Sequence, residues 1–539
     1  MEEPSVICGG RRRPLTLGRS LFDEADELAI VVPASCRRTG RCHECVVEVR
    51  RGKSQLSPPT PAEAFLRPGF RLACQATVER ADRDLEFRVL RRLLRIQLAP
   101  DIASSEVDPA VAIVDGRVVA DDGTDLGDAG GPLVGVAIDV GTTTVVLELV
   151  DLAAGTLLAL AAFENPQQFG GSDVMTRIGY DTDVPGELAR ALRRAINFEL
   201  RRLTAQLGLD RRQLVEGMIV GNPTMRDLMF RVDVGPLGRI PFRSLSETDL
   251  REGRATTTTL VRRAHEVGLL LHPTARVTGG PIVASHVGAD SVADLVAVRA
   301  LDRGLPFLIV DIGTNTEVIA SDGSRLVAAS GPAGPAFEGG GLGNGMAGAE
   351  GAIESVRLVG GRFEVSTIGG GPPAGICGSG LVDLLAELER AGWMSRTGKL
   401  RDGATRIPIV ADRNISFSRG DIGHLGVAKA ATAIGQRVLL RRLGLEPSDL
   451  DRVYLAGGFA NALDSERAIA IGLLVPAPLD RIVRAGNASV AGARALLLSR
   501  RLRAELEAIV RRIEHIELEA EPDFFELFTD GCLFEPIAS

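Results

Sequence analysis

The sequence predicts an α/β protein of several domains, and three observations predict it. The first is an echo: Ala137-Ile-Asp-Val-Gly-Thr-Thr-Thr144 and Val310-Asp-Ile-Gly-Thr-Asn-Thr316 share one pattern, and Asp311 lies 172 residues after Asp139. Each is a β-branched run ending in an acidic residue, then glycine, then hydroxyl side chains. The second is composition: one Trp and two Tyr stand against abundant Ala, Val, Leu and Gly, which favours aliphatic parallel sheets covered by helices. The third is length, since 539 residues with 45% hydrophobic and 24% charged side chains suit about three or four globular domains with ample core. A buried strand that reverses tightly at a glycine presents N–H groups and hydroxyls to a phosphate, and its carboxylate can hold a hydrated Mg²⁺. One such turn is common in α/β proteins. Two in register suggest similar half-domains facing each other across a nucleotide.

Charge and cysteine usage narrow the class. Residues 1–95 hold 18 Lys/Arg against 13 Asp/Glu, while the whole chain carries a net charge of −8. The acidic body argues against general nucleic-acid binding. No segment has the order of a signal peptide, and the apolar region 133–163 is interrupted by Asp139, Glu148 and Asp151, so no membrane span is expected. The expected location is cytoplasmic. The odd number of cysteines, seven, points away from a disulfide framework.

The elements follow in order. Short alternating segments at 5–8 and 13–17 precede an amphipathic helix over about 20–28. Next comes Cys36-Arg-Arg-Thr-Gly-Arg-Cys42-His-Glu-Cys45, and later Arg71-Leu-Ala-Cys74-Gln. The spacing C-x5-C-x2-C-x28-C places three thiolates in one loop and a fourth on a distant segment, close to the plant-type pattern for a [2Fe–2S] cluster. Zinc and unligated core thiols are the alternatives, although a zinc ribbon usually brings two C-x2-C knuckles. Residues 1–95 therefore form the first domain. Residues 96–132, with Pro100, Pro109 and an acidic, Gly-rich stretch, are expected to be an extended, mobile linker.

The first half-domain is expected over 133–302, with strands flanking the first turn, helical patterning over 187–207, and the loop Gly221-Asn-Pro-Thr-Met225 at a strand's C-terminal end, where open α/β sheets hold ligands. The second is expected over 303–539. Residues 330–348 read as a long, flexible, glycine-rich loop, with Ser330 its only hydroxyl and Glu338 its only carboxylate. Gly375-Ile-Cys377-Gly-Ser-Gly380 opens a helix, and Cys377 reads as a packed thiol. Gly457 and Gly458 end a strand where a backbone can approach an adenosine closely. One helix is expected over 490–512, and the Phe-rich tail is expected to dock as a strand or loop.

Residues 4–95 resemble a β-grasp [2Fe–2S] ferredoxin, with Gly40 and Arg71-Leu-Ala-Cys-Gln75 fitting the cluster loop. Related modules often carry glycines where this chain has Arg37, Arg38 and His43. The two turns and the diglycine, in this order, resemble the two-lobed actin-like (RNase H-like, ASKHA) ATPases. That resemblance implies that Asp139 and Asp311 hold hydrated Mg²⁺, that Gly141, Thr142, Thr143, Gly313, Thr314 and Asn315 cradle phosphates, and that Gly457 and Gly458 back the adenosine of ATP. The whole chain resembles the reductive activators of corrinoid proteins, through Asn165-Pro-Gln, Gly221-Asn-x-Thr-Met, Gly331-Pro-Ala-Gly-Pro-Ala-Phe-Glu-Gly, Ile376-Cys-Gly-Ser-Gly-Leu and Leu455-Ala-Gly-Gly-Phe. Longer members carry more sequence between ferredoxin and ATPase.

The resemblance implies ATP-dependent delivery of one electron from a [2Fe–2S] cluster to a corrinoid protein or corrinoid-dependent methyltransferase, turning inactive Co(II) into Co(I) for methyl transfer. A plant-type cluster sits near roughly −400 mV, and each ~59 mV uphill costs a factor of ten, so ATP-linked closure and differential binding must cover the gap. On this reading the acidic body holds the corrinoid protein, the basic ferredoxin domain swings in, an upstream reductase supplies the electron, and the 330–348 loop contacts the corrinoid with Ser330 near cobalt. A homodimer is possible. Three alternatives stay open: an activator of another low-potential enzyme, a small-molecule kinase with a redox-sensing ferredoxin domain, for which Glu338 is the candidate base, and a non-enzymatic, chaperone-like switch that binds partner proteins and uses the cluster structurally.

Overall fold

A computed structural model describes residues 3–90, 94, 107–458 and 460–537. The cysteine-bearing module is a five-stranded sheet in the order β2-β1-β5-β3-β4, formed by β1 (Ser5–Cys8), β2 (Arg11–Pro14), β3 (Val46–Arg51), β4 (Phe70–Leu72) and β5 (Leu85–Val89). Helix α1 (Leu21–Glu27) packs Leu21, Phe22 and Ala25 inward. It starts where Ser20 accepts from the Asp23 amide and Asp23 in turn accepts from the Ser20 amide, a reciprocal cap that satisfies two end groups.

The expected mobile linker is corrected. Residues 96–106 lie outside the described residues, but β6 (Val111–Val114), β7 (Arg117–Ala120) and β8 (Asp125–Asp128) form an antiparallel meander. The β6–β7 turn is Asp115-Gly116, both at positive φ, the type I′ hairpin signature. Its acidic residues are not free chain: Asp121 pairs with Arg276 at 2.7 Å and Asp122 with Arg263 at 3.1 Å. Opposite charges on the neighbouring half-domain turn a linker-like composition into a docked sheet.

The two half-domains share one five-stranded order, with the sixth strand on opposite edges. The first runs β11-β10-β9-β12-β14-β13, built from β9 (Val134–Val140), β10 (Thr144–Asp151), β11 (Leu157–Glu164), β12 (Leu214–Val220), β13 (Leu260–Arg263) and β14 (Arg276–Gly279). Helices α2 (Val174–Asp183), α3 (Glu187–Leu207), α4 (Pro223–Phe230), α5 (Leu245–Arg251), α6 (Ala264–Val267) and α7 (Ala289–Ala297) surround it. The long α3 is punctuated by left-handed glycines, Gly186 and Gly208. The second sheet runs β24-β23-β15-β16-β17-β25, from β15 (Phe307–Ile312), β16 (Thr316–Ser321), β17 (Leu326–Gly331), β23 (Arg452–Ala456), β24 (Ile482–Gly486) and β25 (Ile513–His515). Between them lie a three-stranded sheet, β18 (Ala352–Val359), β19 (Arg362–Thr367) and β20 (Gly375–Ile376), helix α8 (Gly378–Arg390), and the hairpin β21 (Arg406–Val410) with β22 (Ile415–Ser418). Helix α9 (Arg419–Leu443) covers the second sheet and α10 (Ser465–Ala470) follows β23.

Registers show how deep the echo runs. Asp139 pairs with Val220, just before Gly221-Asn222, and Asp311 pairs with Ala456, just before Gly457. The Gly221 loop and the diglycine turn are therefore the same corner of two equivalent sheets.

Two C-terminal expectations are corrected. The stretch 490–512 is two helices, α11 (Ala488–Leu498) and α12 (Arg500–Val510), broken at Ser499, which is extended and accepts from the Leu502 amide. The Phe-rich tail forms α13 (Phe524–Gly531) against α9, with Phe534 buried beyond it. The expected half-domain boundary is also crossed, since Ala493, Leu496 and Leu497 of α11 join the hydrophobic core of the first sheet. Small residues permit this: a Cβ on Gly492 would stand 2.0 Å from the Ala293 carbonyl of α7. Gly492→Ala is expected to cost about 1–3 kcal/mol by forcing the two helices apart, read as a lowered Tm in thermal melts.

Candidate functional site

The cluster loop brings its four cysteines together in two pairs. The sulfurs of Cys45 and Cys74 are 3.4 Å apart, and Cys36 interacts with Cys42. Cys42 and Cys45 are buried, Cys36 and Cys74 half-buried. The Gln75 amide donates to the Cys74 sulfur at 3.4 Å, the kind of bond that tunes an iron–sulfur centre. Two pairs match a two-iron cluster; among the described residues no group of three or more His, Cys, Asp or Glu side chains is gathered to hold a single metal ion.

The departures from the ferredoxin pattern acquire a physical reading. Arg37, Arg38 and His43, standing where related modules often have glycine, all adopt positive φ, a conformation that costs a non-glycine residue roughly 1–2 kcal/mol. Arg38 is drawn away from the cluster to Asp23 and Asp26, with its guanidinium 4.0 Å from the Phe22 ring centroid. His43 docks the module: its Nδ1 lies 2.9 Å from Glu187 of α3 and its ring stacks on Phe65 at 4.1 Å. Around it, Tyr180 donates to the Phe65 carbonyl at 2.6 Å, Arg194 donates to the Cys42 carbonyl, and Arg88 reaches Gln168. The ferredoxin module is thus seated on the first half-domain through the loop that carries Cys42.

The Cys74 arm is fixed by Glu63, whose carboxylate accepts from Arg71 at 2.8 Å and from the Leu72 amide at 2.9 Å. Burial pushes this carboxyl up, but Arg71 and the Thr60 and Leu72 amides outweigh it and hold it below its usual range. Its stabilising contribution is present above the unfolded value and is lost as pH falls through the folded one. Glu63→Gln leaves a nearly buried guanidinium unpaired and is expected to cost about 3 kcal/mol or more. Earlier thermal bleaching of the cluster absorbance checks it.

The second site is a cleft of about 350 Å³ between the half-domains. Asp139, Gly141, Thr142, Thr143, Asp311, Gly313, Thr314, Asn315, Glu338, Gly457 and Gly458 all line it. Glycine is required at two of these corners: a Cβ would stand 2.6 Å from the Thr144 carbonyl at Gly141 and 2.4 Å from the Ile312 carbonyl at Gly457, where φ is +104°. Gly457 therefore makes room for the second glycine turn. The turns meet through hydroxyls, with Thr143 2.8 Å from Thr314, and both donate to Glu338, Thr143 at 2.8 Å. Glu338 joins the two lobes.

Sequence reading missed Asp290, Asp294, Glu317, Asn487 and Ser489. Asp290 and Asp294 lie on α7, Asn487 and Ser489 at the start of α11, and Ser489 donates to Asp294 at 2.9 Å. Glu317 is the residue at which the echo fails, an acid where the first copy has Val145. Burial first, then the neighbouring carboxylates, hold Asp139, Asp294 and Glu317 well above their usual range, and Asp290 and Asp311 are raised as well. One Asp294 oxygen is buried without a partner. Among the described residues these carboxylates do not gather to ligate an ion directly, so a divalent cation held here would be held through its water shell.

Ser330 and its loop are corrected. Ser330 belongs to β17 and donates to Glu317 at 3.1 Å, so it supports the carboxylate cluster from behind. The segment that follows is pinned: the Gly343 amide donates to Asp421 at 2.8 Å, the Asn344 side chain to the Ser416 carbonyl at 2.8 Å, and the Met346 amide to the Ile376 carbonyl at 2.9 Å. Met346, Ala347 and Gly348 line the cleft between the half-domains.

Fold and site together define a two-lobed ASKHA ATPase fused to a ferredoxin domain. Family comparisons match residues 10–79 to a 2Fe-2S iron-sulfur cluster binding domain, 134–303 to the RACo middle region and 306–537 to the C-terminal domain of RACo, the ASKHA domain. The chain is 30% identical over 430 residues to the corrinoid activation enzyme RamQ of Eubacterium limosum, covering 75% of this chain and 70% of that one. It is 24% identical over 416 residues to the [Co(II) methylated amine-specific corrinoid protein] reductase of Methanosarcina barkeri, covering 72% and 75%. A solved structure of a reductive activator for corrinoid, iron-sulfur protein superposes with a TM-score of 0.73, at 27% identity and 99% coverage of both chains. The chain belongs to the family of reductive activators of corrinoid proteins.

Proposed function

We propose that this chain uses ATP to drive one electron from its ferredoxin domain to the Co(II) centre of a corrinoid protein, restoring the Co(I) state. The observation that carries the reading is the seating of the loop that holds Cys36, Cys42 and Cys45 on α3 of a half-domain that also forms one wall of a two-turn cleft. Cys36, Cys42, Cys45 and Cys74 would hold the [2Fe–2S] cluster, which supplies a one-electron carrier when bound.

The chain's own residues divide the remaining work. Gly141, Thr142 and Thr143 on one lobe and Gly313, Thr314 and Asn315 on the other would cradle phosphates, and Gly457 and Gly458 would back the adenosine. Asp139 and Asp311 would hold Mg²⁺ through water. Glu338 and the hydroxyls it receives would sense whether phosphate lies between the turns, since a phosphate must compete with those bonds. Ser330 acts here as a positioning residue for Glu317. Release of the docked ferredoxin face, or access through the half-exposed Cys36 and Cys74, would deliver the electron. Glu338 is tied between the two turns, which counts against a role as the base of a kinase. Among the described residues no helix is long and apolar enough to cross a membrane.

The test mixes the reduced protein with a Co(II) corrinoid methyltransferase and follows the corrinoid spectrum. Co(I) is expected to appear with Mg-ATP and to stay at background without it. Equal yields with and without ATP would sink the reading.

A further inference from the structure

Beside the seated ferredoxin loop lies an open groove of about 1110 Å³, between the start of α3 and the segment after α4. Arg190, Arg193, Arg231, Arg239 and Arg243 line it, with only two carboxylates, Asp181 and Asp233. Those two already accept from backbone amides, of Gly186 at 3.1 Å and Gly235 at 2.9 Å. Arg190 pairs with Glu187 at 2.9 Å and Arg243 with Glu247 at 3.6 Å; Arg193 is spent on the carbonyls of Ala189 and Val267, and among the described residues Arg231 and Arg239 meet no carboxylate. Burial, then Arg231, Arg190 and Arg194, lower the Arg193 guanidinium to about 10. In a chain of net charge −8, two exposed arginines, Arg231 and Arg239, that meet no carboxylate among the described residues mark a place where an anionic surface belongs. Its rim also carries an apolar contact point, Ile240, 85% exposed.

Position selects the occupant. The groove shares the first turns of α3 with the ferredoxin dock, and Arg190 lies 3.5 Å from His43, the residue after Cys42. It shares no lining residue with the nucleotide cleft, so it is placed for delivery to the cluster and not for coupling to ATP. We infer that this groove is the docking site for an acidic one-electron carrier protein that reduces the ferredoxin domain. The inference rests on the redox reading above. The step moves one electron from the reduced carrier to the oxidised cluster, with no bond made or broken.

The test uses holoprotein and an acidic flavodoxin as the probe, without ATP or corrinoid. Binding is read by the anisotropy of the flavodoxin's flavin, and electron transfer by stopped-flow bleaching of the cluster. The double variant Arg231→Glu/Arg239→Glu is expected to weaken binding and slow bleaching by about 10-fold or more, with the wild-type rate falling steeply as salt rises. Reduction by methyl viologen radical should not change, which excludes a damaged cluster. Salt-independent binding, or a variant that binds and bleaches like the wild type, overturns the proposal. So does a variant that spares the flavodoxin reaction but slows Co(I) formation from pre-reduced protein, which would assign the groove to the corrinoid partner. Failure of ATP-dependent Co(I) formation in the wild type would strike the functional reading alone, because the binding measurement contains neither component.

Discussion

Asp311→Asn is expected to lower ATP-dependent Co(I) formation by about 10²–10³-fold while raising the Tm of the nucleotide-free protein. The two effects have one cause. Asp311 sits at the end of β15, opposite Ala456, and its charge contributes to the raised carboxyl values of Asp139, Asp290, Asp294 and Glu317. Asparagine keeps the shape and removes one of several buried, mutually repelling charges, so the empty fold gains stability. With ATP present the sign reverses. A carboxylate that helps hold a divalent cation supplies several kcal/mol of charge stabilisation, and each 1.36 kcal/mol is tenfold in rate. Thermal melts with and without Mg-ATP separate the effects: the variant should start higher and gain less from nucleotide. A variant that loses activity and also melts lower would indicate simple damage. One that keeps the wild-type rate would remove Asp311 from the site.

The same cluster shows what a sequence can and cannot display. That Asp139 and Asp311 line one cleft and that the four cysteines come together was legible because each sits in a short contiguous pattern. Asp290, Asn487 and Ser489 reach the cleft, with Asp294 behind Ser489, only because α7 and α11 cross at Ala293 and Gly492, a contact between segments nearly 200 residues apart. No periodicity reports that crossing, although a glycine inside an otherwise good helix was a hint. Ser330 was misplaced for the opposite reason: its glycine-rich surroundings suggested a loop, while pairing of β16 with β17 extended the strand through Gly331. The linker misled in the same way, because composition was weighed above the Asp-Gly turn inside it. His43 departed from the ferredoxin pattern, and that departure turned out to be the docking contact.

Cys45→Ser is the second large effect, and it tests the redox half as Asp311 tests the nucleotide half. Cys45 is 1% exposed and lies at the start of β3, facing Cys74 at 3.4 Å. A serine there cannot replace a thiolate as a soft iron ligand, and the loop has no spare cysteine: Cys8 is buried in the module's core and Cys377 lies in the second half-domain with its sulfur donating to the Ile353 carbonyl. The visible absorbance of the cluster should therefore fall to background, and Co(I) formation with it, by at least about 100-fold. ATP binding should survive, because no residue of the cluster loop lines the nucleotide cleft. Cys377→Ser serves as the control, since it lines that cleft but not the cluster loop, and it should leave the visible spectrum unchanged. A zinc site would give a different record. The wild type would be colourless in the visible range, and Cys45→Ser would destabilise the module without removing any electron, because zinc has no redox chemistry to lose. The spectrum of the wild type and the variant, taken together, decides whether the four thiols carry current or only hold the fold.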